Sequence, residues 1–231
     1  MRDKGVKQNH RTKSQSKITE QNGGAVNRVA TISLPLGEGA MMTFTLDLSP
    51  VTTLDDRQFE ALCRQNPNAR LERTAQGELI IMPPVGGESG HREADLITDL
   101  AIWNRRTKLG KVFSSSTCFK LPNGALRSPD ASWIKLERWN QLSEAEQKKF
   151  SSICPDFVIE LRSESDGLST LQKKMEEYLE NGVQLGWLID PQSRNVIVYK
   201  LNQKPQTLTQ PKLLQGDNLL PGFVCDLNFI W

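Results

Sequence analysis

Apolar residues recur at every second position in some stretches of this chain and at every third or fourth in others. The switches between the two periods outline its elements. Val29, Ile32 and Leu34, then Met42, Phe44, Leu46 and Leu48, flank a Gly37-Glu38-Gly39 turn and predict a hairpin. Thr53 reads as the N-cap of a short helix with Asp55 and Asp56 in its first turn; it carries Phe59, Leu62 and Cys63 and ends before Pro67. Residues 69–74 and 78–82 predict a second hairpin around Gln76-Gly77, closed by Pro83-Pro84 and Gly86-Gly87. A helix follows over 91–106, with Ala94, Ile97, Leu100 and Ala101 on its apolar face. Strands are expected at 111–113, 117–121 and 130–135, and a polar helical segment at 143–150.

Asp156 to Leu161 has the uninterrupted apolar pattern of a buried strand. Residues 168–181 form a helix presenting Leu171, Met175, Tyr178 and Leu179, stopped by Asn181-Gly182. Leu185 to Ile189 is a further buried strand, Asp190-Pro191 a turn, and Val196 to Leu201 its partner. The tail from Leu220-Pro221-Gly222-Phe223 to Trp231 is apolar enough to pack back on the body. Hairpins, helix, strands, helix and strands in this order predict an α/β (α+β) arrangement, a mixed sheet flanked by helices with hairpins at the N-terminal side.

Composition narrows the class. The chain has 231 residues, 37% of them hydrophobic, enough for a core in a single domain over 29–231. No apolar run approaches the length of a membrane-spanning helix, and the N-terminus has no apolar segment of a secretory signal, so the expected location is cytoplasmic. Cys63, Cys118, Cys154 and Cys225 are scattered, which argues against a zinc cage and for reduced thiols. Residues 1–28 hold seven Lys/Arg against Asp3 and Glu20, a balance of +5, which leaves −3 on the remainder of a chain with net charge +2. This segment reads as a disordered basic tail, with a phosphate-contacting arm as the alternative.

The candidate chemistry lies in the middle of the chain. Ser128-Pro129-Asp130 is followed 30 residues after the aspartate by Glu160-Leu161-Arg162, and then by Lys174 in a helix. Two carboxylates on neighbouring strands can hold Mg²⁺, and a nearby cation can face a scissile phosphate, so the layout is that of a metal-dependent phosphodiesterase. Asp130 is also ordinary turn chemistry after proline. Glu160 is harder to explain as structure, because a carboxylate ending Phe157-Val158-Ile159 is buried and needs a cation or a metal. Asp156 lies too far along the same strand from Glu160 to share an ion, roughly 13 Å, and reads as a strand-start residue. Arg162 falls on the strand face of Glu160, and Lys174 flanks the apolar face of its helix, placed to reach inward. Glu93 lies on the sheet-facing side of the 91–106 helix as a further carboxylate. His91 and Glu78 are weaker candidates. A binding module without catalysis, and a buried Glu160–Arg162–Lys174 ion cluster, stay open beside the nuclease.

In this order the pieces resemble the Uma-two family of restriction-endonuclease-like proteins, within the PD-(D/E)xK nuclease superfamily. They are Gly77 to Pro84, His91 opening a helix, Ser128 to Trp133, and Pro155 to Ser163. Lys174-Met175 with Tyr178, Asn181-Gly182-Val183, Trp187 to Pro191 and Leu220 to Phe223 complete the set. The likeness covers roughly residues 48–231. It implies a restriction-endonuclease-like core and a DNA endonuclease using Mg²⁺, with Mn²⁺ as a substitute. It places metal ligands at Asp130, Glu160 and the Leu161 backbone carbonyl, and a catalytic cation at Arg162 or Lys174. DNA is the implied partner, a bacterial source is implied, and a homodimer stays open. Two positions depart from the pattern: Arg162 stands where the superfamily has lysine, and Glu164 where the family more usually has proline. Lys174 offers the missing lysine from the helix.

Overall fold

The computed structural model describes residues 43–49 and 52–231. The basic tail and the first arm of the N-terminal hairpin lie outside them. The second arm is strand β1 (Phe44–Leu46). Helix α1 (Asp56–Gln65) is capped by Asp55, not Thr53: Asp55 accepts from the Gln58 N–H while the Gln58 side chain accepts from the Asp55 N–H. That reciprocal pair satisfies two otherwise orphaned amides, which a cap two residues earlier could not do.

The second hairpin forms as expected from β2 (Arg70–Arg73) and β3 (Leu79–Met82), with Gly77 in the positive-φ conformation that its turn requires. Helix α2 (Gly87–Thr107) begins four residues before the expected start. Its buried face is Leu96, Leu100 and Trp103 rather than Ala94, Ile97, Leu100 and Ala101. Larger side chains cover more of the sheet, so they set the helix rotation.

Next come β4 (Gly110–Ser114), β5 (Phe119–Lys120), β6 (Leu126–Arg127) and β7 (Ala131–Lys135), then short helices α3 (Leu136–Asn140) and α4 (Glu144–Gln147). The chain continues through β8 (Phe157–Leu161), α5 (Leu168–Glu180), β9 (Leu185–Asp190) and β10 (Asn195–Lys200). Strands β11 (Gln206–Thr209), β12 (Leu213–Gln215) and β13 (Val224–Asp226) complete it.

The central sheet has the order β11-β10-β9-β8-β7-β4. All its pairings are antiparallel except β8–β9, which α5 joins as a crossover, so the sheet is mixed as expected. A second sheet, β1-β3-β2-β6-β5, is built from the hairpins, and β12–β13 form a ribbon. Alternation along the central strands sorts the core into two layers. Trp133, Phe157, Ile159, Leu161 and Trp187 face α2 and the C-terminal Phe223, Leu227 and Ile230. Ile134, Val158 and Leu188 face Met175 and Tyr178 of α5. The C-terminal tail therefore does pack on the body. The β4 edge is held close to β7, since a Cβ on Gly110 would run into the Ile134 carbonyl and the Trp133 indole.

Candidate active site

Strands β7 and β8 pair with Ala131 opposite Ile159, and continuing that register by one residue sets Asp130 opposite Glu160. Both side chains project to the α5 face. Directly opposite residues of an antiparallel pair have Cβ atoms about 5 Å apart. The Asp130 carboxylate accepts the Leu161 N–H through Oδ2 (2.8 Å), leaving Oδ1 facing the Arg70 guanidinium at 3.6 Å. Glu160 is 3% exposed; its Oε1 accepts from the Tyr178 hydroxyl (3.0 Å) and pairs with Lys174 Nζ (2.9 Å). Lys174 and Tyr178 are one turn apart on α5, so the helical repeat delivers both to the same carboxylate.

Burial pushes the Glu160 carboxyl up to about 8, helped by Asp130 and Glu72 and opposed by Lys174. Burial likewise raises Asp130 to about 6, with Glu93 adding to the rise and Lys174, the Leu161 N–H and Arg70 opposing it. Lys174 itself stays firmly charged: burial pulls it down, but Glu160, Glu72 and Asp130 outweigh burial. Even with Lys174 and the Arg70 guanidinium nearby, the two facing carboxylates stay raised and short of positive charge, the condition under which a divalent cation is favoured.

The donor set fits such an ion. In a strand the N–H and C=O of one residue point to the same edge, so the Leu161 carbonyl opens toward the Asp130 side. Pro129, opposite Leu161 if the register is continued once more, has no N–H to pair with it. Among the described residues no group of three His, Cys, Asp or Glu side chains is arranged to hold a metal. Two carboxylates and a carbonyl with water suit Mg²⁺, which keeps several waters, better than a closed cage.

The structure brings together Asp130, Glu160, Lys174 and, at the edge, Glu93, which accepts from the Ser115 hydroxyl. It does not bring the rest. Arg162 lies beyond the end of β8 and donates to Asp190 (2.9 Å) and the Asp166 carbonyl (3.0 Å), because Asp190 lies just along the neighbouring strand. His91 points outward and faces Asp95 one turn away at 3.5 Å. Glu78 accepts from Thr74 within its own hairpin. Asp156 is a strand-start residue as expected: it takes the Lys135 N–H, the Gln184 amide and Arg138, and so ties β7, β9 and α3 together.

Sequence reasoning missed Glu72. It comes from β2 of the other sheet, is 1% exposed, and meets Lys174 (2.9 Å), Arg127 (3.0 Å) and the Ser128 N–H (2.8 Å). No local signal marks it: β2 holds a single apolar residue, Leu71, between charged neighbours, so its pattern does not set Glu72 apart. Arg127 in turn reaches Glu177 on α5 (2.6 Å).

A mixed sheet with helices on both faces and a second sheet of hairpins defines an α+β protein. A family model described as "Uma2: Putative restriction endonuclease" matches residues 56–228, and the chain belongs to that family. Among solved structures it is similar to a "putative nuclease belonging to DUF820" from Anabaena variabilis ATCC 29413. The TM-score is 0.56 at 22% identity, covering 65% of this chain and 82% of the other, which shows a shared fold. No curated protein matches. Among the described residues no helix is long and apolar enough to cross a membrane.

Proposed function

We propose that this protein is a Mg²⁺-dependent endonuclease, also served by Mn²⁺, that hydrolyses phosphodiester bonds of DNA. The observation that carries this reading is the Asp130–Glu160 pair, opposite each other across β7–β8 with Lys174 at 2.9 Å from Glu160. Asp130, Glu160 and the Leu161 carbonyl would hold the ion. Bound there, the ion would polarise the phosphate and lower the pKa of water. Lys174, kept charged by its three carboxylate neighbours, acts as a permanent positive charge that orients the attacking water and offsets phosphate charge rather than as a base. Tyr178 holds the Glu160 carboxylate in position through its hydroxyl. Arg70, 3.6 Å from Asp130 and partly exposed, is the cation closest to hand for the incoming phosphate. Arg162, committed to Asp190, supports the end of β8.

Purified protein with Mg²⁺ or Mn²⁺ is expected to nick or cut plasmid DNA, and Glu160→Gln to abolish cutting while leaving the circular-dichroism spectrum unchanged. The substitution keeps the size of the side chain and removes its charge. Cutting that survives Glu160→Gln points to a contaminating nuclease. A protein that neither binds an ion nor cuts DNA is a closed ion cluster, the reading favoured by the complete pairing of Glu72, Lys174 and Arg127.

A further inference from the structure

Lys174 divides itself equally, 2.9 Å from Glu160 on the central sheet and 2.9 Å from Glu72 on the other. Nothing in metal coordination requires Glu72, yet it is one of the most deeply buried charged groups of the chain. Its position is over-determined: Arg127 and the Ser128 N–H grip it, and Arg127 is itself tied to Glu177 on the helix that carries Lys174. A carboxylate fixed so firmly is a stationary receptor for a mobile ammonium. The lysine stem can turn about its own bonds, whereas Glu72 cannot follow it.

We propose that Glu72 is a positioning residue that receives Lys174 when a divalent cation takes Glu160, so that the ammonium is handed over within the site instead of being expelled from it. With the ion absent, Lys174 serves as a placeholder on Glu160. With the ion present, Lys174 stays beside the reacting phosphate, held by Glu72. This assignment rests on the metal-nuclease reading. Without Glu72 the ammonium has Glu160 as its nearest acidic partner and competes with the metal.

The test is a double-mutant cycle read by Mn²⁺ affinity in titration calorimetry, with DNA cleavage as a second readout. Glu72→Gln is expected to weaken Mn²⁺ binding by about tenfold, the usual scale for losing an outer partner of a metal site. Lys174→Met, which removes the competing cation, is expected to tighten Mn²⁺ binding while cutting is lost. In the Lys174→Met background, adding Glu72→Gln is expected to change Mn²⁺ affinity little, because Glu72 acts through Lys174. A loss that persists in that background shows Glu72 acting through its own charge, and overturns the assignment. Should Glu72→Gln fail to fold, Lys174→Met decides alone: unchanged or weaker Mn²⁺ binding overturns it. Wild-type protein that binds Mn²⁺ and cuts DNA while Glu72→Gln matches it in both overturns the hand-over but leaves the nuclease standing. Wild-type protein that binds no Mn²⁺ overturns both.

Discussion

Glu72 shows how one buried charge is made tolerable. Burial alone would raise its carboxyl, but Lys174, Arg127 and the Ser128 N–H hold it below the ordinary carboxylate range. A carboxyl depressed in the folded state contributes stability that is present above its unfolded value and is lost as pH falls through its folded value. Glu72→Gln is therefore expected to cost about 2 kcal/mol at neutral pH, the worth of a hydrogen bond to a charged group. The difference from wild type is expected to shrink as the solution is acidified below the usual carboxylate range. Urea titrations across pH, with EDTA present to exclude metal, measure it. A gap that stays constant into acid would mean that the charge of Glu72 contributes nothing. Arg162 teaches the converse: a charged residue on the expected face need not reach the expected partner, since Asp190 offers a nearer one.

At the scale of elements, α5 and the hairpin sheet are joined by polar contacts rather than by apolar area alone. Arg127 on β6 meets Glu72 on β2 and Glu177 on α5, and the Asn123 side chain adds a bond to Glu177 (3.0 Å). Arg127→Ala would leave two acids without their shared cation. The expected loss is about 3 kcal/mol, at the lower end for breaking a buried pair, because Lys174 still serves Glu72. Denaturant unfolding gives the number, and a loss below about 1 kcal/mol would show that the clamp is electrostatically neutral. The elements most legible in the sequence were those with strong periodicity, β8, α5 and β9, each found within a residue of its expected bounds. Strand β6 is two residues long, and β11 to β13 have too few apolar positions to show a period.

For the whole molecule the charge asymmetry matters most. Residues 1–28 carry +5 and the remainder −3, so the body alone does not attract DNA at long range. Removing residues 1–28 is expected to leave the fold intact, since the family match begins only at residue 56. It is also expected to weaken DNA association. Each phosphate that the tail no longer neutralises flattens the plot of log K against log salt by about 0.9. Fluorescence anisotropy over a salt series checks this; an identical slope after truncation would show that the tail meets no phosphate.

The order of elements, the mixed sheet and the facing of Asp130 with Glu160 follow from periodicities and spacings that belong to the chain itself. Side-chain alternation and helical spacing are local properties, so they set Glu160 and Arg162 on one strand face and Lys174 at the edge of its helix's apolar face before any contact was known. The second sheet's contribution had no such local mark. Glu72 is 58 residues from Asp130 and 102 from Lys174 in sequence, and only the packing of the hairpin sheet against α5 brings them to one site. The same holds for Arg162, whose partner Asp190 is chosen by distance in space. Local sequence dictates which way a side chain leaves its strand, and tertiary structure decides what it meets there, because electrostatic and hydrogen-bond energies depend on separations that only the packed fold sets.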